Sequence, residues 1–443
     1  MKAMSRKTKG TTPKKEGVRT LVSKLRFPEF HGEGAWTTET LGSLVRISTE
    51  KVGDKTCIPM SITSGVGLVS QMDKFGRIIA GSSFVKYLQL KKGDFAYNKS
   101  ATKEYPEGFI ALYSGDELAA VPNSIFTCFR INGDSPDPKY LNYLFLGNLH
   151  GRWLRTFIEV GARAHGSLSI DEDDLLALPV PLPSGKRSRR EQQKIAECLS
   201  SVDEVIAAQA RKLSALRTHK NGLMQQLFPR EGETEPRLRF PEFRGKGEWE
   251  MATIGDIFET SAGGTPERSK MEYWNGSIPW VTTSLVDFNV ISCAEEFITN
   301  EGLKNSSAKM FPKNTVLVAL IGQGRTRGKA ALLDFEASTN QNCAGILPTA
   351  TVIPNFTFLN LCGRYEEMRA LSNTAGQGSL SQGLIRTLPF CFPKDKTEQH
   401  RIADCLSTLD NLIAAESQKL ENLKTHKRGL MQQLFPSPEE VEA

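Results

Sequence analysis

One stretch of this sequence, residues 322–329 (GQGRTRGK), concentrates side chains that can contact a polyanion. Glutamine and arginine offer paired hydrogen-bonding groups to guanine or adenine, and glycine lets the backbone come close. The apolar run Val316–Ile321 before it has the length of a buried strand. The pattern G-x-x-x-x-G-K-S/T is absent, which excludes a nucleotide-binding P-loop. The residues alone leave two interpretations open, a nucleic-acid contact or a solvated turn.

No arrangement of side chains suited to catalysis accompanies this stretch. The N/D-P-P-Y/F motif of amino-methyltransferases is absent, and Pro136-Asp137 lacks the D/E-x-K partner of a nuclease site. The six histidines form no H-E-x-x-H pattern, and the eight cysteines include no C-x-x-C pair. We therefore expect a protein with no catalytic, metal or cofactor site of its own. The scattered cysteines fit a reducing cytoplasm.

Charge is distributed unevenly along the 443 residues, whose net charge is +6. Residues 1–24 contain eight Lys or Arg and one Glu, a local charge of +7, so the remainder carries −1. We interpret residues 1–24 as a basic disordered tail suited to loose nucleic-acid contact. The rest must group its basic residues on one face if it binds DNA. No apolar run approaches the length of a membrane span, and no secretory signal is evident.

The elements that position these residues are organised around a repeat. The 39 residues from Glu191 to Pro229 return from Glu398 to Pro436, a shift of 207, with 25 identities and no gap. Both copies carry apolar residues at alternating three- and four-residue spacing over about five heptads, which predicts two coiled-coil helices, each roughly 55 Å long. The seam residues are Ile195, Leu199, Val202, Ile206, Leu213 and Leu216, then Ile402, Leu406, Leu409, Ile413, Leu420 and Leu423.

Each seam is interrupted by polar residues in matching places, Gln209 and Lys220 in the first copy, Glu416 and Lys427 in the second. In an antiparallel pair an a position faces a d position, so we expect Lys220 to meet Glu416 and Gln209 to meet Lys427. The alternative is that these side chains face solvent or a partner helix. Glu191 and Glu398 sit three residues after Ser188 and Asp395, which predicts a capping box at the start of each helix.

The repetition extends to the blocks that precede each helix. LRFPEF occurs at residues 25–30 and 238–243, and Gly-Ser-Leu-Ser at 166–169 and 378–381. The middles of the blocks differ, although both are rich in short β segments separated by Gly, Asn and Pro turns. Repeated edges around unlike middles indicate one scaffold that presents two different surfaces.

With these residues in hand, the chain resembles the specificity subunit of type I restriction–modification enzymes. The resemblance rests on the paired half-repeats, the run GGTPERSKMEYWNGSIPWVTTS, the STNQN segment and the two copies of GLMQQLF. It implies an α+β fold in which two mixed α/β target-recognition domains are separated by two long antiparallel coiled-coil helices, as a pseudo-twofold internal repeat. The predicted boundaries are 1–24 for the tail, 25–187 and 230–394 for the domains (with a linker at 230–237), 188–229 and 395–436 for the helices, and 437–443 for a C-terminal tail.

The resemblance also implies a function. Each domain reads one half of a split site in double-stranded DNA, and the helices dock two methyltransferase subunits that methylate adenine. Motor–nuclease subunits join them, and S-adenosylmethionine, ATP and Mg belong to those partners. Split sites are read about one helical turn apart, a separation that helices of this length can span.

Within that family the loop at 322–329 is expected to read DNA. Its candidates are Gln323, Arg325, Thr326, Arg327 and Lys329, joined more weakly by Arg268, Lys270, Thr282, Thr283 and Ser284. Asn340 and Gln341 either read adenine or hold a turn. In the first domain the candidates are Lys99, Ser100, Thr102 and Lys103, with Arg163 and His165 at the place where the second domain has Gln377. His165 has the alternative role of capping a loop.

Overall fold

The computed structural model describes residues 21–63, 65–158, 168, 170–230, 232–322, 325–374, 380–437 and 441. The chain divides into two compact units: Met1–Ala208 with Leu420–Ala443, and Gln209–Lys419. Each unit therefore contains one β-rich domain, part of the helix that follows this domain and part of the other long helix.

The described part of the first unit contains ten strands and the helices between them. Its strands are β1 (Thr37–Thr40), β2 (Val45–Ser48), β3 (Ile58–Thr63), β4 (Gly67–Ser70), β5 (Leu88–Leu90), β6 (Phe95–Asn98), β7 (Phe109–Leu112), β8 (Ala119–Val121), β9 (Phe126–Ile131) and β10 (Pro179–Leu182). Its helices are α1 (Leu41–Leu44), α2 (Gln71–Phe75), α3 (Pro138–Leu146), α4 (Leu149–Arg155) and α5 (Glu172–Leu176), followed by the long helix α6 (Ser188–Leu227), which continues into the second unit.

The second unit has the strands β11 (Glu250–Thr253), β12 (Thr260–Ala262), β13 (Trp274–Val281), β14 (Asn289–Ile291), β15 (Glu296–Ile298), β16 (Met310–Phe311), β17 (Val316–Ala319), β18 (Ala330–Leu333), β19 (Ala337–Thr339), β20 (Cys343–Ile346) and β21 (Pro389–Phe392). Its helices are α7 (Ile254–Ile257), α8 (Asn300–Lys304), α9 (Pro354–Gly363), α10 (Tyr365–Thr374) and α11 (Gln382–Thr387), followed by α12 (Lys396–Leu434).

The two domains share one topology although their middles have unlike sequences. The first contains sheets of order β2-β9-β6-β7 and β4-β3-β8-β5, and the second has β12-β20-β17-β18 and β15-β13-β19-β16. Strand by strand the pairings agree in direction, including the parallel pairs β3–β8 and β13–β19. The second domain adds β14 at the edge of its first sheet, parallel to β18. The predicted α+β fold with two β-rich domains and two packed long helices is confirmed.

The repeated motifs hold each domain to the long helices. The backbone N–H of Leu25 donates to the carbonyl of Gln433 at 2.9 Å, and that of Leu238 donates to Gln226 at 2.9 Å. Each LRFPEF segment is thus bound to a GLMQQLF helix end. The apolar seam continues into the domain cores, because Leu199 and Leu406 are fully buried among domain residues. Away from the domains the seam is only partly covered, and Ile206 and Ile413 are half-buried.

A buried ion pair joins each domain to the first turn of its helix. Arg26 binds both carboxylate oxygens of Glu191 at 2.7 Å, and Arg239 binds those of Glu398 at 2.8 and 2.9 Å. The arginine side chains are 10% exposed and the glutamates 1%. These glutamates therefore do not close the predicted capping boxes. The reason is that an arginine fork offers a carboxylate two charge-assisted hydrogen bonds, which are stronger than a bond to one neutral amide.

The long helices pack antiparallel, but in a different register from the predicted one. Lys220 binds Asp410 at 2.5 Å rather than Glu416, and its counterpart in the repeat, Lys427, binds Asp203 at 2.7 Å rather than Gln209. Gln209 instead donates to the Glu416 carboxylate at 2.5 Å, and Lys212 also pairs with that carboxylate. The predicted pairing of Lys220 with Glu416 is wrong by nearly one heptad. A shift of a heptad keeps apolar positions facing one another, so the charges decide the register.

Exchanging the charges of Lys220 and Asp410 tests this register. Lys220→Asp should lower the free energy of unfolding by about 1 kcal/mol, since the side chains are 17% and 42% exposed and solvent screens the pair. Adding Asp410→Lys recreates the ion pair and should restore stability in urea unfolding. Lys220→Asp with Glu416→Lys is the matched control and should not recover. Recovery of stability in the control, without recovery in the variant that carries Lys220→Asp and Asp410→Lys, would contradict the register.

Candidate nucleic-acid interface

The two loops that the sequence singled out occupy the same position in the two domains. Residues 99–108 connect β6 to β7, and residues 320–329 connect β17 to β18, the equivalent strands. We call them the first loop and the second loop. Their sequences are unrelated, so the equivalence is visible only in the strand order. Lys103 and Arg325 are exposed in them, and Lys99 is half-buried.

The same hydrogen bonds hold the base of both loops. Lys99 donates its N–H to the carbonyl of Ile125 at 2.9 Å, and Leu320 donates to Asn342 at 2.8 Å. The repeated Gly-Ser-Leu-Ser segments supply a second bond, from the N–H of Leu168 to Lys99 at 2.8 Å and of Leu380 to Leu320 at 2.9 Å. Leu168 and Leu380 therefore brace the loops, a role that their sequence did not indicate. Arg163, His165, Gln323 and Gln377 lie outside the described residues.

The second loop is also held at its tip. The Tyr365 hydroxyl donates to the carbonyl of Arg325 at 2.7 Å, and Lys329 pairs with Asp287 and lies 5.6 Å from the Phe288 ring centre. Gly322 has a φ of 150°, and a side chain there would meet Thr326 at 2.8 Å. Gly322 thus allows the backbone to come close to Thr326, and Arg325 keeps an exposed side chain while its backbone is fixed.

A second polar group of the same domain joins residues far apart in sequence. Thr283 donates to the side-chain oxygen of Asn340 at 2.9 Å, and the same oxygen accepts the N–H of Asn342 at 3.1 Å. Thr282 and Ser284 hydrogen-bond each other at 2.5 Å, and Thr265 donates to Gln341. Of the two roles left open for Asn340, the contacts of its oxygen are those of a turn-holding residue.

Arg268 and Lys270 are directed towards their own domain. The Arg268 guanidinium lies 3.8 Å from the ring centre of Trp274 and 4.8 Å from that of Trp280, and it pairs with Glu296. Lys270 donates to the Tyr273 hydroxyl at 3.2 Å, which raises the pKa of Lys270. These contacts compete strongly with a phosphate for the Arg268 guanidinium. The guanidinium stacks on indole rings and pairs with a carboxylate, and it would have to lose both interactions to bind a phosphate.

The GGTP segment near them owes its glycines to packing. A side chain at Gly263 would meet the carbonyl oxygens of Thr339 and Asn340 at 2.3 Å, and one at Gly264 would meet the backbone of Ser307 at 2.2 Å. The segment therefore packs backbone against backbone beside the turn at Asn340.

In the first domain, Thr102 shapes the first loop. Its N–H donates to the carbonyl of Tyr105 at 3.1 Å, and its hydroxyl accepts the Tyr105 N–H at 3.0 Å. Ser100 donates its N–H to the Asn98 side chain at 3.0 Å. Lys103 lies in the turn that Thr102 closes, so its exposed ammonium is presented at the loop tip.

A buried cluster that no sequence pattern indicates supports the other end of this loop. Tyr97 donates to the carbonyl of Glu107 at 2.8 Å, and Arg155 donates to the Glu107 carboxylate at 2.6 Å. His150, fully buried, lies with Nε2 3.3 Å from the carbonyl of Gly108. Burial lowers the pKa of His150 to about 4. His150 and Glu107 are distant in sequence and in no motif, and only the packing of α4 brings them together.

Metal-ligating side chains are dispersed in the described part of the chain. No three His, Cys, Asp or Glu side chains there form a cluster that could hold a metal ion. None of the described helices is long and apolar enough to cross a bilayer.

Comparison with known proteins identifies the class. The family model for the type I restriction modification DNA specificity domain matches residues 246–425. The chain is 25% identical over 303 residues to the specificity subunit of the type I restriction enzyme EcoR124I/EcoR124II of Escherichia coli, covering 65% of this chain and 71% of that protein.

Solved structures show the same fold. A chain from a structure addressing complex assembly and conformational transition of the type I R-M system shares 16% identity, with a TM-score of 0.58 over 91% of this chain and 98% of that one. The S subunit of the type I system from M. genitalium also shares 16% identity, with a TM-score of 0.54 over 94% and 100%.

The family model and the curated relative thus make this chain similar to the specificity subunits of type I restriction–modification enzymes, and the solved structures share its fold. Specificity subunits of this kind are non-catalytic, in agreement with the prediction that this chain is not itself an enzyme.

The buried His150 predicts a loss of stability in acid. The unfolded chain takes up a proton below about pH 6.5, whereas native His150 does not until about pH 4, so stability falls as the pH drops through that window. Between pH 7 and pH 4.5 the loss from this group should be about 2–3 kcal/mol. Urea unfolding at both pH values should show a smaller difference for His150→Phe than for the parent. His400→Asn, at an exposed histidine, is the control and should keep the parental difference. An unchanged pH dependence in His150→Phe would contradict the assignment.

Proposed function

We propose that each β-rich domain reads one half of a bipartite site in double-stranded DNA through the major groove. The observation that carries this proposal is the placement of two unlike, basic loops in the same position of two matching frames. A protein that reads two different half-sites needs equal scaffolds and unequal reading surfaces. The similarity to the type I DNA specificity domain and to a type I specificity subunit supports the same conclusion.

The candidate side chains fall into two classes: those on a backbone that other residues hold in place, and those with a flexible charged group. Arg325 and Thr326 lie in a loop whose backbone is pinned by Tyr365, which suits the fixed geometry of base-edge hydrogen bonds. Lys99 and Lys103 carry flexible ammonium groups, which suit phosphate oxygens. We assign base readout to the first class and phosphate contact to the second. Arg268, Lys270 and Asn340 support the reading surface from behind, because their polar groups are engaged within the domain.

The long helices are proposed to dock two methyltransferase subunits, one on each copy of the repeat. Val205 and Leu412 are equivalent residues, 207 apart, and their side chains are 49% and 40% exposed. Beside them the seam residues Ile206 and Ile413 are only half-buried. A pair of helices that leaves its apolar stripe uncovered at two equivalent places suits two copies of one partner whose helices complete the packing.

The ends of the long helices add a second equivalent feature. A cavity of about 450 Å³ is lined by Met224, Phe228 and Gly363, and one of about 270 Å³ by their counterparts Met431, Phe435 and Gly147. The docked subunits would bring S-adenosylmethionine and the chemistry on adenine, which includes taking the base out of the duplex. ATP-driven motor–nuclease subunits would complete the complex, with ATP and Mg bound there and none in this chain.

The reading proposal predicts that single loop residues act on one half-site only. Arg325→Ala should relax one position of one half by about tenfold to a hundredfold, the usual effect of losing a bidentate base contact. Lys103→Ala should weaken binding evenly across sequences and lower the salt dependence by about one phosphate. The measurement is selection of methylated sites from a random DNA library by the chain assembled with its methyltransferase. Sequence-independent binding would favour a coiled-coil adaptor instead and contradict the proposal, as would a change in both halves.

The docking proposal predicts that each copy of the repeat can lose its methyltransferase subunit independently of the other copy. Val205→Ser or Leu412→Ser should each remove one methyltransferase subunit, and the double variant should remove both, as measured by native mass spectrometry of the assembled complex. Met271→Ser, at a residue that is 71% exposed on the second domain, is the control and should keep two subunits. If either single variant alone removed both methyltransferase subunits, the two docking sites would not be independent, and this assignment would be contradicted.

A further inference from the structure

An unusual concentration of exposed apolar side chains lies in the first domain between the tip of the β3–β4 hairpin and β5. Of the seventeen large apolar side chains exposed in the described part of the chain, six fall within residues 66–85. They are Val66, Met72, Phe75, Ile78, Ile79 and Val85, between 45% and 72% exposed. We call residues 66–85 the apolar segment. Single exposed apolar residues need no explanation, whereas a group of this size usually marks a binding surface.

The fold itself does not require this surface. In the second domain the equivalent connection, from β15 to β16, begins with the short helix α8 and continues as Asn305-Ser-Ser-Ala-Lys309. Both connections start with a Ser or Thr that caps a five-residue helix, Ser70 for α2 and Thr299 for α8. The helices are alike in position, but the second connection is polar. An apolar β4–β5 connection whose counterpart in the matching frame is polar reflects what that one domain binds.

The apolar segment is ordered rather than loose. The buried side chain of Gln71 accepts the N–H groups of Ile79 and Ala80 at 2.9 and 3.0 Å, which folds the segment back over α2. Lys74 donates to the carbonyl of Ile62 at 2.5 Å and so ties α2 to β3. The exposed isoleucines are therefore presented by a fixed backbone.

The segment begins beside the first loop. Val66 is 72% exposed at the tip of the β3–β4 hairpin, between Gly65 and Gly67, both with positive φ. A side chain on Gly65 would lie 3.8 Å from the Tyr105 hydroxyl, so the hairpin tip adjoins the loop assigned to DNA. The glycines allow the tip to turn tightly and leave room for a ligand to come close.

The charge of the segment matches DNA. Lys74, Arg77 and Lys86 are exposed within or directly after it, against one acidic residue, Asp73. Apolar side chains in a basic setting have one specific partner in the major groove, the 5-methyl group of thymine, which distinguishes T·A from the other pairs. The polar connection of the second domain lacks such groups, which is expected if the two halves of the site differ in sequence.

We propose that the apolar segment reads thymine methyl groups in the half-site of the first domain. This inference rests on the proposed function and adds a chemistry of recognition to it. Val66, Ile78 and Ile79 make the contacts, and the neighbouring Arg77 and Lys86 hold the phosphates on either side. The half-site read by the first domain therefore contains A·T pairs recognised from the thymine side.

Replacing thymine by deoxyuridine, which removes only the methyl group, tests the proposal. Each thymine in both halves of the methylated site is replaced in turn, and methylation by the assembled complex is measured under competition with the parent duplex. We expect a threefold to fourfold loss per contacted methyl group in one half, the effect of one lost buried methyl. Thymines in the other half are the internal control and should respond less than twofold.

Variants of the apolar segment test the same contacts from the protein side. Val66→Ala, Ile78→Ala and Ile79→Ala should each lower methylation of the thymine duplex and lose the response to deoxyuridine at one position. Met271→Ala, at a residue 71% exposed in the second domain, should keep the parental response. Site-selective methylation with no deoxyuridine effect would overturn this inference and leave the proposed function standing, whereas unselective methylation would overturn both. Variants that lose a methyltransferase subunit and weaken both duplexes equally would identify the segment as a protein contact and also overturn the inference.

Discussion

The structure depends on the buried ion pair at the start of each long helix. Arg26 with Glu191, and Arg239 with Glu398, place two charges at a junction that water scarcely reaches. Leaving one such charge without its partner costs about 3–5 kcal/mol, so the pair resists opening. The following glutamine extends the junction, since Gln192 accepts the N–H of Asp137 at 2.8 Å. Each domain is thereby locked to its own helix.

This lock explains how one scaffold can present two surfaces. The repeated residues lie where domain and helix meet, and the strands that carry the loops keep their order in both domains. The loops between those strands take no part in the junction, so their sequences are free to differ. Even the brace on each loop is a backbone hydrogen bond, from Leu168 or Leu380, which tolerates different side chains around it. Specificity can therefore change without cost to the fold.

The long helices could be predicted from the sequence, whereas their register and the contacts of individual site residues could not. Heptad spacing predicts long helices because burial of an apolar stripe is a local, periodic constraint. The same spacing cannot fix the register, because a shift of one heptad brings the same apolar pattern face to face. The register is decided by Asp203 and Asp410, which lie outside the seam and attract Lys427 and Lys220. The choice of Arg268 as a DNA contact followed from residue type alone. Its stacking on Trp274 and Trp280 depends on how the strands fold, as does the meeting of His150 with Gly108.

We propose as the central claim that the length of the long helices sets the spacing of the two half-sites, because each domain is fixed to its own helix. Its most direct test is insertion of one heptad into both long helices at equivalent positions, with methylated sites mapped across a genome that carries the system. Seven residues add about 10.5 Å of helix, close to three base pairs. The account predicts that both recognised halves stay the same while the unread gap between them grows by about three base pairs. An unchanged gap, with the inserted helices folded and the complex active, would contradict it.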